Sequence, residues 1–201
     1  PKLTIKNIIQ VLKKPEWALK TLINGQPSFE VLKPYMPKSL NLKQLAKFMD
    51  STFSGRLNEE KIKKLRDSWK GKLVIKGTES VHDIEKAYKL GVDGVIISNH
   101  GGRQVDVGQA TIDSLKTVAP IYKDKLKIMM DSGIRGGADI ARVLGVGADF
   151  TFLGRSFMYG VSALGSKGGN HTISIIKKEL NQIMEQLGCN KIKDFIDTRI
   201  S

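Results

Sequence analysis

The sequence predicts an α/β protein built from parallel β/α units. Two observations carry this. From about residue 73 onward, apolar runs of four or five residues alternate with stretches of helical spacing, and such runs read as strands buried on both faces, as in parallel sheets. Each run also stops at a polar or glycine-rich turn. Parallel units of this kind close into a β/α barrel or form an open doubly wound sheet, and in both the ligand sits at the carboxyl ends of the strands.

Residues 1–70 form a helical and loop segment ahead of the strands. Helical pieces are expected around 6–12, 16–22 and 42–49, with Pro27, Pro34 and Pro37 breaking the middle into loops. A helix over 59–69 leads into the first strand. Residues 71–201 carry the β/α pattern. Leu73-Val74-Ile75 ends at Lys76-Gly77. Ser80 to Leu90 is a helix with Val81, Ile84, Ala87 and Tyr88 on one side, closed by Gly91. Gly94 to Ile97 is the second strand and Thr111 to Val118 the next helix. Lys127 to Met130 is the third strand, followed by a helix from Ala138 to Leu144 that ends near Gly145 or Gly147. Phe150 to Leu153 is the fourth strand. The tail from Ile173 to Leu187 is an amphipathic helix, with Ile173, Ile176, Leu180, Ile183, Met184 and Leu187 on its apolar face.

The chain has 201 residues, 40% hydrophobic and 26% charged, which suits a globular protein with a sizeable core. It holds no apolar run of 18 residues and no signal-peptide pattern at its start. The single Cys189 forms no internal disulfide and fits a reducing, cytoplasmic setting. The net charge of +13 is spread along lysine-rich helices without interleaved aromatics. No nucleic-acid-binding signature accompanies it, so nucleic acid is not an expected partner. Metal-ligand spacings are absent, and His82 and His171 read as surface residues.

Four strand ends carry chemistry. Ser98-Asn99-His100-Gly101-Gly102-Arg103 follows the second strand. Its histidine can move a proton near neutral pH, and its arginine can grip a carboxylate with two prongs. Asp131-Ser132-Gly133-Ile134-Arg135-Gly136-Gly137 opens a helix, and such a loop can present backbone N–H groups to a phosphate. Gly154-Arg155 repeats the arrangement after the fourth strand. Lys76 ends the first strand beside them. The expected site therefore joins a base, a carboxylate clamp and a phosphate cradle.

These residues resemble a known family. Leu73 to Gly77, Ser98 to Gln104, Asp131 to Arg135 and Leu153 to Arg155 are similar to the FMN-dependent α-hydroxy acid dehydrogenases and oxidases. Pro15-Glu16-Trp17-Ala18 and Asn24-Gly25-Gln26-Pro27 are similar to the respiratory L-lactate-oxidising branch of bacteria, in the region before its fifth barrel strand. The resemblance implies a (β/α)8 TIM barrel, of which this chain supplies the C-terminal half, strands five to eight with the helices that follow. It implies FMN as cofactor and oxidation of L-lactate to pyruvate, with electrons passing to a respiratory acceptor. His100 matches the catalytic base and Arg103 the residue on the substrate carboxylate. Lys76 matches the lysine beside flavin N1 and the C2 carbonyl, and Ser98 lines the flavin-side rim. Asp131, Ser132, Gly133, Ile134 and Arg135, with Gly154 and Arg155, match the segments around the ribityl phosphate. Asn58 stands where the family usually carries a tryptophan, and Gly136 where a longer polar residue is common. The barrel's first four strands, and the aspartate that orients the base, are expected to come from a separate half. A homo-oligomer is the usual assembly of the resembling family. The alternative expectation is a catalytically inactive remnant that keeps the phosphate cradle. The branch also implies attachment to the inner face of the cell membrane, where Lys2, Lys6, Lys13, Lys14 and Lys20 would lean on anionic lipid.

Overall fold

The structure, a computed structural model, describes residues 4–25, 29–37, 42–52 and 57–198. Lys2, Gln26 and Pro27 lie outside the described residues. The chain divides into two compact units, Pro1–Arg56 and Leu57–Ser201.

The first unit is helical. Thr4 caps α1 (Ile5–Leu12) by accepting a hydrogen bond from the Asn7 N–H at 3.3 Å, and Pro15 occupies the first turn of α2 (Pro15–Asn24), where its missing N–H has no consequence. A 3-10 helix (Glu30–Tyr35) runs through Pro34, so that proline bends the chain without ending the turn. α3 (Leu42–Thr52) completes the unit. No residue of α1 or α2 is buried.

The second unit begins with α4 (Glu59–Ser68), whose Ile62 enters the core. The division after Arg56 lies 14 residues before the expected boundary at residue 70. Arg66 fastens α4 to the sheet. Its guanidinium donates to the carbonyls of Gly91 at 3.2 Å and Gly71 at 2.7 Å, to that of Trp69, and to Asp93 at 3.0 Å.

Four parallel strands follow in the order β1 (Val74–Thr78), β2 (Gly94–Ile97), β3 (Lys127–Met130) and β4 (Phe150–Thr151). Sequence order equals spatial order, so every connection is a crossover to the next strand, as β/α units require. Residues in register share a face. Ile75, Val95 and Ile128 form one such row and are buried. The row Lys76, Ile96, Met129 and Phe150 belongs to the opposite face. β1 slips register between Lys76 and Thr78 at Gly77, whose φ of 94° only glycine adopts without strain.

The crossover helices are α5 (Val81–Lys89), α6 (Thr111–Tyr122) and α7 (Gly137–Val146), and after β4 come α8 (Arg155–Leu164) and α9 (Gly168–Leu187). Ile84, Leu115, Val118, Ile140 and Val143 bring helix faces into the core. Several elements differ from expectation. β1 starts at Val74 and runs on through Lys76 to Thr78, so Lys76 lies within the strand and not at its end. α6 continues through Pro120, because Tyr122 is buried and anchors the last turn. β4 is only two residues long, although the Phe152 N–H still bonds the Met130 carbonyl at 2.9 Å. Ile173 and Leu187 of α9 are exposed, and the packed stripe is Ile176, Leu180, Ile183 and Met184. A 3-10 helix (Ile192–Asp197) closes the unit and inserts Phe195, fully buried.

Candidate active site

The carboxyl ends of the four strands enclose a cavity of about 330 Å³. Lys76, His100, Arg103, Asp131, Ser132, Gly133, Ile134, Arg135, Gly154 and Arg155 all line it. Ser98 is the one expected site residue off the wall; it is 1% exposed and lies beneath the wall.

At the centre is a hydrogen-bonded group. Lys76 Nζ lies 2.6 Å from Asp131 Oδ2 and donates to Ser98 Oγ at 2.7 Å. Ser132 Oγ donates to Asp131 Oδ1 at 2.8 Å. Burial alone pushes the Asp131 carboxyl up, but the hydrogen bonds from Lys76, Ser98 and Ser132 and the lysine charge outweigh it. Asp131 is held below the ordinary carboxylate range.

The turn that carries the base is held just as closely. Asn99 Oδ1 accepts from the N–H groups of Gly101 at 3.0 Å and Gly102 at 3.2 Å. The His100 N–H donates to Ser98 Oγ at 3.2 Å. The Gly101 N–H is shared with Ser132 Oγ at 3.0 Å, and the Gly101 carbonyl accepts from Arg155 Nη2 at 2.6 Å. His100 has φ 55° and Ser132 φ 72°, the two left-handed non-glycine residues among those described. Each such residue costs about 1–2 kcal/mol, and both sit at this rim. The side chains of His100 and Arg103 make no hydrogen bond or ion pair among the described residues, so both present free donors or acceptors to the cavity.

The two glycine-rich loops differ in what they offer an anion. In the first, the Arg135 N–H donates to Asp139 Oδ2 at 2.8 Å and the Gly137 N–H to Glu179 Oε2 at 2.7 Å. Those amides are committed within the protein. In the second, Gly154 provides no side-chain cap, and the first-turn N–H groups of α8 have no intrahelical acceptor. The start of α8 thus has first-turn amides that no side chain caps, and Arg135 and Arg155 line the same cavity. Ser156 Oγ donates to the Arg135 carbonyl at 2.7 Å and ties the two loops together. A Cβ built at Gly133 or Gly154 meets nothing within 4 Å, which leaves room for a ligand along this wall.

Asn99, Asp139, Glu179 and Phe152 play parts at the rim that the sequence did not single out. Asn99 sat inside the recognised motif. Asp139 bonds the Arg135 amide four residues before it, a local helix-start arrangement, whereas Glu179 carried no local signal because its partner Gly137 lies 42 residues away. Among the described residues no cluster of His, Cys, Asp and Glu could hold a metal ion.

The residues present fit a flavin mononucleotide. Two arginines and an uncapped helix end suit its phosphate, and the Lys76 ammonium suits a ring system that gains negative charge.

Comparison with known proteins agrees. The pattern of the FMN-dependent dehydrogenases matches residues 1–201. The chain is 34% identical over 195 residues to an L-lactate dehydrogenase of Vibrio parahaemolyticus, covering 96% of this chain and 52% of that one. It is 36% identical over 191 residues to an L-lactate dehydrogenase of Actinobacillus pleuropneumoniae, covering 94% of this chain and 50% of that one. Among solved structures it is similar to the monotopic membrane protein (S)-mandelate dehydrogenase, with a TM-score of 0.89 and 30% identity, over 96% of this chain and 51% of that one. The chain thus spans about half the length of the relatives it matches. Its four parallel strands and their helices correspond to part of a β/α barrel, as expected.

Proposed function

Because this chain belongs to the FMN-dependent dehydrogenases, we propose that its rim is the base-bearing and phosphate-holding part of a 2-hydroxy acid dehydrogenase that oxidises L-lactate to pyruvate and passes the electrons to a respiratory acceptor. The observation that carries this is the convergence of Lys76, His100, Arg103, Arg135 and Arg155 on one cavity. FMN, when bound, takes up the two electrons that leave the substrate.

The protein's own groups supply the rest. The unpartnered His100 imidazole accepts a proton from the substrate. Arg103, which lines the cavity and has no side-chain partner among the described residues, grips the carboxylate in a bidentate fashion and so sets which carbon faces the base. Lys76 places a fixed positive charge where negative charge builds, while Asp131 and Ser98 hold its ammonium in place. Arg135, Arg155 and the first amides of α8 hold the phosphate, with Gly133 and Gly154 leaving the wall open.

Unit one supports the place of action. Among its described residues Ile5, Leu12, Trp17, Leu22 and Ile23 are exposed, interspersed with Lys6, Lys13, Lys14 and Lys20. An apolar surface set among lysines suits the face of an anionic bilayer. Among the described residues no helix is long and apolar enough to cross a membrane. Peripheral attachment to the inner face of the cell membrane is part of the proposal. Release from anionic vesicles by moderate salt would support its electrostatic component.

The direct test is titration of FMN into the chain, followed by quenching of flavin fluorescence. Saturable binding that weakens about tenfold or more in Arg135→Ala or Arg155→Ala, as loss of a charged hydrogen bond predicts, would support the phosphate assignment. Bleaching of the flavin absorbance by L-lactate, lost in His100→Ala, would support the reaction. Binding indifferent to both arginines would refute the assignment.

A further inference from the structure

We infer that Arg155 is a positioning residue for His100, and that an anion seated at the start of α8 is felt by the base-bearing turn through the Gly101 carbonyl. The inference rests on the proposed phosphate site and adds a link between its two ends.

The turn is an unusual piece of backbone. His100, Gly101 and Gly102 have φ values of 55°, 69° and 75°, three left-handed residues in succession, the first of them not glycine. Such a conformation persists only where its surroundings over-determine it. Two of its constraints come from the anion side of the rim. The Gly101 N–H donates to Ser132 Oγ at 3.0 Å, and the Gly101 carbonyl accepts from Arg155 Nη2 at 2.6 Å. The guanidinium also packs on this residue, since a Cβ at Gly101 would lie 3.1 Å from Arg155 Nη2.

A guanidinium carries five N–H donors in a rigid planar fork. One is used on Gly101, and no other bond of the Arg155 side chain occurs among the described residues. Arg155 lines the same cavity as Arg135 and Gly154. An anion there takes the remaining prongs and fixes the plane of the fork. Because the fork is rigid, fixing one side fixes the donor on Gly101, and the strained turn stiffens around His100. A lysine at this position, a point charge with rotating hydrogens, would bind the anion without holding the carbonyl in a defined direction.

The test titrates inorganic phosphate into the isotopically labelled full chain and follows amide and imidazole resonances. The expected result is that Ser156, Gly101 and His100 move with one midpoint, and that exchange of the Gly101 amide slows by about tenfold, the factor for one net hydrogen bond. Arg155→Lys is expected to keep the Ser156 response at about tenfold weaker affinity while losing the response at Gly101 and His100. A response confined to Ser156 and its neighbours in the parent chain would overturn the coupling and leave the phosphate site standing. An undiminished His100 response in Arg155→Lys would likewise overturn it, as a bare charge effect. No response anywhere on the rim would overturn both the phosphate site and the coupling.

Discussion

Gly137→Ala sets helix propensity against packing, and the two disagree in sign. Gly137 opens α7 beneath the first glycine-rich loop, and its φ is not left-handed, so alanine meets no backbone strain there. In an isolated helix alanine is favoured over glycine by up to about 1 kcal/mol. Here an added Cβ would stand 2.6 Å from both Glu179 Cβ and the Leu180 backbone nitrogen, and 2.9 Å from the Glu179 carbonyl carbon. That is roughly 1 Å inside the optimum of about 3.5 Å for carbon contacts. Two of the three atoms are backbone of α9, which cannot swing aside as a side-chain tip can. Overpacking of this kind costs about 1–3 kcal/mol, so the net expectation is a loss of about 1–2 kcal/mol. It should appear in urea unfolding as a lower midpoint at unchanged slope, and in thermal unfolding as a fall of roughly 2–8 °C. Gly169→Ala is the control. Gly169 lies in α9 with nothing within 4 Å of its Cβ position, so this variant should be neutral or stabilised by up to about 1 kcal/mol. A Gly137→Ala chain as stable as the parent would refute the reasoning, because α7 and α9 would then be shown to yield without cost.

Two further outcomes follow from the same physics. The Asp93 carboxyl is held down to about 2, first by Lys72, then by the Leu73 N–H and Arg66. Its charged form therefore favours the folded state at and above the ordinary carboxylate value, and the contribution is lost as pH falls from about 4 to about 2. Urea midpoints should drop through that window in the parent and drop less in Asp93→Asn; parallel curves would count against the assignment. At Ser132 the order of glycine and alanine variants should invert the usual one. Both lose the hydroxyl bonds to Asp131 and Gly101, but only glycine relieves the φ of 72°. Ser132→Gly should therefore be more stable than Ser132→Ala by about 1 kcal/mol, and the opposite order in unfolding midpoints would show that the backbone there is not strained.

Much of this was legible in the sequence for reasons that are local. β2 and β3 occupy the residues expected of them, because a buried parallel strand is apolar at nearly every position and needs no partner to be recognised. Gly91 and Gly147 mark helix ends where left-handed backbone is required. The rim residues came together because each, apart from Lys76 inside β1, follows a strand, and parallel strands bring all such ends to one side. What stayed hidden was long-range. α8 went unread because Gly154, Gly160 and Gly165 punctuate it, although Phe157, Val161 and Leu164 recur at helical spacing. Gly160 is required by contact with Gly168 and Thr172 of α9, which no local pattern announces. The commitment of the Gly137 amide to Glu179, 42 residues away in sequence, is of the same kind. It takes one first-turn amide of α7 away from any anion at the first glycine-rich loop.

The hydroxyl of Ser98 has a consequence for any molecule that enters the rim. It accepts hydrogens from Lys76 at 2.7 Å and from the His100 amide at 3.2 Å. A hydroxyl has two acceptor lone pairs, and both of these are taken. Lys76, by contrast, spends two of its three hydrogens, on Ser98 and Asp131. An arriving acceptor is therefore met by the third hydrogen of the lysine, and an arriving donor finds no free lone pair at the serine. Ser98 acts as the fixed hinge pin of the rim, setting the direction from which the lysine can reach outward, and a ligand that demanded a bond from it would first have to unseat either the ammonium or the base-bearing turn.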